Sequence, residues 1–386
     1  MSTTPGAGPL AGMRVVEFAG IGPGPMCGML LADLGAQVLR VDRTEPSGLG
    51  IERPPQFDLL LRGKRTLQVD LKKPEGIALA KSLVAKADAT IEGFRPQTME
   101  RLGLGPDDCL ALNPRLVYGR VTGFGQEGPL ARAAGHDLNY IALAGALHAI
   151  GREGAAPTPP LNLLGDYAGG AMLLAFGIVC AMLHARTSGR GQVVDAAMID
   201  GANTLLTPFY GLIAAGMHAG PRGTNLLDSG APFYEVYRCS DGEYISIAPI
   251  EKKFRQVLLE KLADAGADVA GLPDFDDREQ WPLLRERFSS LFVQRTRAEW
   301  CNALEGTDAC FSPVLAPMEA PQHPHHVARR SFIHIDGVAQ PAPSPRFSAT
   351  PAGRPVPPTQ AGDAHEWLRE WGVATAASAD RATDNK

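Results

Sequence analysis

Short apolar runs alternate with amphipathic stretches through the first 125 residues. Residues 13–18 (Met-Arg-Val-Val-Glu-Phe) read as a strand, the Gly- and Pro-rich residues 20–25 as a turn, and 26–34 as a helix that Gly35 ends. Residues 37–42 form a second predicted strand. A strand–turn–helix–strand order is a βαβ unit and predicts a parallel sheet. Further strands are predicted over 67–69, 89–92 and 116–121. An amphipathic helix is predicted over 74–87, with Pro74 in its first turn. The first half is therefore expected to be doubly wound α/β.

Helix is predicted to dominate from Tyr167 to about Gly216. The apolar run 167–185 is long enough to span a bilayer. It contains Gly169, Gly170, Gly177 and His184 and is bounded by Asp166 and Arg186, so a buried core helix is expected, with Asp166 as its N-cap. Residues 220–231 are rich in Gly, Asn, Asp and Pro and mark a boundary. Apolar residues on both sides of Ser240-Asp241-Gly242 signal a β-hairpin within 233–247, opening a smaller α+β domain. Helices are predicted at 253–264 and 281–292. The proline-rich residues 313–354 read as a long extended connection returning over the first domain, and the tail after Ala374 as disordered.

Length supports this division, since 386 residues exceed one ordinary core. Charge narrows the partners. With 37 Lys and Arg against 42 Asp and Glu, the formal net charge is −5, which gives no basis for nucleic-acid binding. Cys27, Cys109, Cys180, Cys239, Cys301 and Cys310 form no Cys-x-x-Cys pair and read as reduced, mostly buried thiols of a cytoplasmic protein. No signal peptide, peroxisomal address or membrane span is expected. His323-Pro324-His325-His326 reads as a loop without metal, because proline interrupts the helical spacing of ligands.

Gly20-Ile21-Gly22-Pro23-Gly24-Pro25 after a strand invites a dinucleotide reading, but the spacing fails. Counted from Gly20 the third glycine falls on Pro25, and from Gly22 on Cys27. A tight turn that lets the next helix pack on the sheet is expected instead.

Gly135-His136-Asp137-Leu138-Asn139-Tyr140, with Gly165-Asp166 about thirty positions later, carries the candidate chemistry. Histidine and a partly desolvated aspartate can each hold or release a proton near neutral pH, which suits proton transfer at carbon. A glycine before each residue would let a substrate approach the backbone closely.

Together these segments resemble the family III CoA-transferase superfamily and, within it, the α-methylacyl-CoA racemases. The resemblance is carried by residues 10–17, 19–25, 32–43, 91–96, 100–105, 135–140, 160–166, 187–195 and 343–351, and spans roughly residues 9 to 360. It implies an intertwined homodimer of a large doubly wound α/β domain and a smaller α+β domain joined by long linkers. Residues 1–200, completed by 330–386, would form the large domain. The small domain would cover 225–310, with linkers at 201–224 and 311–329.

The implied reaction inverts the stereocentre α to an acyl-CoA thioester through an enolate, as expected in fatty acid metabolism. His136 and Asp166 match the family's two acid/base groups, and Glu251 the acid that orients the histidine. The Asp137 N–H would be the oxyanion donor, a role worth about 3 kcal/mol in other enzymes. The CoA moiety would be held by Ile21, Arg43, Val69, Asp70, Leu71, Lys72, Gly93, Phe94, Arg95 and Arg101, together with Gly135, Leu138, Asn139 and Tyr140. Arginine suits phosphate and adenine. No cofactor is implied beyond the CoA of the substrate. The alternative within the superfamily is a CoA-transferase with Asp166 as nucleophile; its members do not usually carry His at position 136.

Overall fold

The computed structural model describes residues 6–358 and 363–374. The tail read as disordered lies outside the described residues. The chain divides into two compact units. The first takes in the described residues up to Ala144, Leu161–Leu205 and those from Arg330 on, and the second takes in Gly145–Pro160 and Leu206–Arg329.

The first unit is built on a wholly parallel sheet of β1 (Arg14–Phe18), β2 (Gln37–Asp42), β3 (Lys64–Gln68), β4 (Ala89–Glu92), β5 (Val117–Thr122) and β6 (Gln192–Ala197). The spatial order is β3-β2-β1-β4-β5-β6. All residues of β4 and β5 are buried, as strands covered on both faces must be. Alternate residues of β1 serve opposite faces. Val16 joins a core with Leu39, Leu83 and Tyr118, and Val15 joins another with Val38, Ile91 and Val117. Helix α1 (Pro23–Asp33) and α2 (Pro74–Val84) supply one layer each. The strand order turns back between β1 and β4, so a crevice is expected outside the carboxyl ends of these strands.

Two predicted elements are corrected. β3 covers Lys64–Gln68 rather than 67–69. Lys64 looks misplaced in a core strand, but its ammonium reaches the buried Glu17 carboxylate at 2.5 Å and the Pro25 carbonyl at 2.8 Å. β6 interrupts the stretch read as continuous helix; it is an edge strand, and its partial exposure blurs the apolar pattern.

The long apolar helix is a π-helical segment, Leu163–Met172, continued by α-helix Leu173–Ser188. Leu174, Ile178, Ala181, Met182 and Ala185 are buried, most of them in the β1–β5 core. Met172, Phe176, Val179 and Leu183 are exposed, so the helix is half covered rather than buried all round. Cys180 on it is exposed, unlike the thiol expected there.

Residues 330–341 and 353–356 rejoin the first unit. Arg62 donates to Gln340 and to the Pro341 carbonyl, and the Gly63 N–H donates to the Val356 carbonyl. The stretch read as extended carries a hairpin, Phe332–Ile335 with Val338–Pro341, and a short helix, Pro324–Arg329. His325 and His326 therefore lie on a helix and not in a loop.

In the second unit, β7 (Glu235–Arg238), β8 (Tyr244–Ile247) and β9 (Phe311–Pro313) form an antiparallel sheet. Helices Lys252–Asp264, Trp281–Phe292 and Arg297–Leu304 complete it around Phe233, Phe288, Phe292 and Trp300.

Candidate functional site

The candidate residues of the first unit follow the carboxyl ends of successive strands. Ile21 comes after β1 and Arg43 after β2. Val69, Asp70, Leu71 and Lys72 follow β3, and Gly93, Phe94 and Arg95 follow β4. Arg101 closes the short helix Thr98–Arg101. Arg43, Lys72, Arg95 and Arg101 are exposed, while the Val69 N–H is fixed on the Asp42 carbonyl at 2.7 Å. Asp70 accepts the Lys72 N–H at 3.0 Å, which closes that turn. Three exposed cations, Arg43, Lys72 and Arg95, thus follow the carboxyl ends of β2, β3 and β4.

His136 stands just outside helix α3 (Asp137–Leu143). Asn139 reaches back from the first turn to accept the His136 N–H at 3.0 Å, and the His136 carbonyl accepts from Asn139 at 2.8 Å. The backbone is held while the imidazole remains exposed. Tyr140 lies edge-on to Phe124, 4.9 Å between centroids, and donates its hydroxyl to the Gly135 carbonyl. Burial and the nearby Asp166 charge push the phenol up to about 12. Leu138 is exposed beside His136.

Asp137 is 3% exposed, and its carboxylate turns inward. Its Oδ2 accepts the N–H of Gly165 and that of Asp166, each at 2.7 Å. The neighbour of one candidate base therefore grips the backbone of the other. The Asp137 N–H itself makes no hydrogen bond among the described residues.

Asp166 lies inside the π-helical segment, not at a helix N-cap. Such wide turns recur at functional sites because they re-aim a side chain within a continuous helix. The carboxyl is half-buried, and Asn162 donates to it at 3.1 Å. Burial raises its pKa most and the Asp137 charge adds to the rise, while Asn162 and the His136 charge oppose it. Gly22, at φ 66°, brings the β1–α1 turn so close that a Cβ there would lie 3.2 Å from Asp166 Oδ2. That turn thus walls the candidate site as well as seating α1.

The two motif glycines have a packing role of their own. A Cβ on Gly165 would meet Asp137 Oδ2 at 2.8 Å, and one on Gly135 would meet the Tyr140 ring at 2.8 Å. They make room for the protein's own side chains. Asn162 has no distinguishing mark in the sequence beyond its place four residues before Asp166; it directly precedes the π-helical segment.

Glu251 belongs to the second unit. It precedes helix Lys252–Asp264, is exposed, and its carboxylate accepts no hydrogen bond among the described residues. No group of three or more His, Cys, Asp or Glu among the described residues could hold a metal ion. His323 instead pairs with Glu305 at 2.8 Å.

The sequence model of CoA-transferase family III matches residues 10–364. The chain is 44% identical over 372 residues to a protein of Mus musculus named alpha-methylacyl-CoA racemase, covering 95% of this chain and 94% of that one. It is 43% identical over 344 residues to the protein of that name from Homo sapiens, covering 89% and 87%. A solved structure of a CAIB/BAIF family protein from Brucella suis shares the fold with a TM-score of 0.78 at 25% identity, covering 95% of this chain and all of that one.

Proposed function

The chain belongs to CoA-transferase family III, and from that premise we propose that it is an isomerase, racemising 2-methylacyl-CoA thioesters by proton transfer at the α-carbon. The observation that carries this reading is the joining of His136 and Asp166 through Asp137. One base takes the α-proton, and the electron pair of the broken C–H bond moves into the thioester to give an enolate. The other base then delivers its own proton to the opposite face. The two swap roles with the hand of the substrate. The raised pKa of Asp166 suits this, because an ordinary carboxyl is too strong an acid to hold a proton near neutral pH.

The Asp137 N–H, without a partner among the described residues, is the proposed donor to the enolate oxygen. Arg43, Lys72, Arg95 and Arg101 are the proposed partners of the CoA phosphates, and Ile21, Val69–Leu71, Gly93, Phe94, Gly135, Leu138, Asn139 and Tyr140 the surrounding wall. Glu251 is proposed to orient His136 on the strength of the family resemblance. A homodimer is proposed as the working form. The apolar stripe Met172, Phe176, Val179 and Leu183, spaced as one helix face, supports it. A cytoplasmic enzyme without a further cofactor completes the reading.

Proton NMR of a chiral 2-methylacyl-CoA in D2O tests the reaction, with a free carboxylate acceptor added in a parallel tube. Loss of the α-proton together with optical purity, without a new thioester, is expected. A new thioester only in the acceptor tube, with the α-proton retained, would make Asp166 a nucleophile and the chain a transferase.

A further inference from the structure

Glu92 ends β4 at the centre of the sheet, directly before Gly93, Phe94 and Arg95. Its side chain is buried yet fully engaged: Oε2 accepts the Phe94 N–H at 2.8 Å and Oε1 accepts Arg120 Nε at 3.0 Å. Arg120 is the register neighbour of Glu92 on β5. Its Nη2 donates to Glu100 on helix Thr98–Arg101 at 3.0 Å. One guanidinium therefore braces both ends of the segment 92–101. A buried ion pair is a poor way to gain stability, since apolar residues of similar volume often do as well. What this one does is hold a turn whose Gly93 and Arg95 are exposed at the crevice edge.

We propose that Glu92 is a positioning residue for acyl-CoA: through the Phe94 N–H it fixes the turn that presents Gly93, Phe94 and Arg95 to CoA, with Arg120 and Glu100 as its brace. This rests on the reading of the crevice as the CoA site. It also makes CoA binding pH-dependent. Burial pushes Glu92 up to about 7, against the pull of the Phe94 N–H and Arg120, with Glu100 adding to the rise. The charged and titratable groups facing it are Arg120 and Tyr118 on β5 and Glu100 on the short helix. Below about 7 the carboxyl takes a proton, its hold on Arg120 weakens, and the turn loosens.

Calorimetric titration of CoA into the full chain between about pH 6 and pH 8 tests this, comparing wild type with Glu92→Gln. The variant is expected to bind about tenfold more weakly at the upper end, the loss of one charge-assisted bond. The gap narrows toward the lower end, where wild-type Glu92 is itself protonated. The CoA 3′-phosphate titrates near about 6 in both proteins, so the difference between them is the quantity read. KM for the thioester should rise with kcat little changed. Glu100→Gln, at the exposed end of the brace, is expected to weaken binding about threefold with an unchanged melting temperature. A folded Glu92→Gln that binds CoA like wild type throughout overturns the proposal, as does an unaffected Glu100→Gln if Glu92→Gln does not fold. Absence of CoA binding to wild type overturns the CoA reading itself, and this inference with it.

Discussion

The carboxylate of Asp137 accepts the backbone N–H of Asp166 at 2.7 Å. Asp137 follows His136 directly, so a single side chain couples the placement of both candidate bases. Proton transfer at carbon tolerates little misplacement of either base. The buried acidic side chain that grips the backbone between them is therefore a structural element of the site in its own right.

The bond to Asp166 is one of two, because Gly165 donates to the same oxygen. Asp137→Ala leaves the buried Gly165 N–H and the partly buried Asp166 N–H unpaired and should destabilise the protein by about 2–3 kcal/mol, with activity falling in both directions. Asp137→Asn can keep both bonds on its one carbonyl oxygen, and should lose about 1 kcal/mol through the buried amide nitrogen that replaces the unpartnered Oδ1. Urea unfolding of the two variants separates these outcomes. Equal losses would mean that the charge of Asp137, rather than its acceptor oxygen, holds the site.

Separate bases predict separate exchange reactions. His136→Ala and Asp166→Ala should each lose racemisation by about a hundredfold or more, a typical general-base contribution. Each should still exchange the α-proton of one enantiomer, the one facing the remaining base, and the two variants should retain opposite hands. Deuterium incorporation into each enantiomer, followed by NMR, reads this directly. Retention of the same hand by both would remove one of the two residues from the mechanism.

The acid limb of the rate profile should follow Asp166. Its folded pKa is raised, chiefly by burial, while the Asn162 amide favours the charged form. Asn162→Ala removes that donor and should move the acid limb of kcat/KM upward in the direction where Asp166 is the base. Stability has the matching sign. A raised carboxyl contributes stability that is present below its unfolded pKa and lost as pH rises through its folded value. Asp166→Asn should therefore melt higher than wild type near neutral pH, with the advantage vanishing in acid. An unmoved limb in Asn162→Ala would assign it to another group.

Much of this architecture is legible in the chain, for a physical reason. β4 and β1 are short apolar runs between turn residues, and the helix over 281–292 has the expected period. What the pattern hides depends on partners far along the chain. Lys64 reads as a surface residue until Glu17 stands opposite it, and β6 reads as helix because an edge strand need not be apolar. In the site, His136 and Asp166 stand out by residue type and by family resemblance. The inward carboxylate of Asp137, the amide of Asn162 and the wide helical turn around Asp166 have no local signature. Each arises from packing: a Cβ on Gly169 would lie 2.9 Å from the Ala202 nitrogen, so the π-helical segment crosses its neighbour at backbone contact.

The glycine turn after β1 offers a further test, because Gly22 combines two demands. Its φ of 66° with ψ −117° lies outside the left-handed helical well, in a region that costs other residues about 1–3 kcal/mol, and its Cα faces Asp166 Oδ2. Gly22→Ala should lower stability by about that amount, while racemisation falls further than stability alone explains, because the new methyl presses on the carboxylate. Gly12 has φ 83° with nothing within 4 Å of an added Cβ. Gly12→Ala should therefore show the backbone penalty without the catalytic one. Comparing unfolding free energy with kcat for the two variants separates strain in the turn from crowding at Asp166, and equal kcat values would exclude Gly22 from the wall of the site.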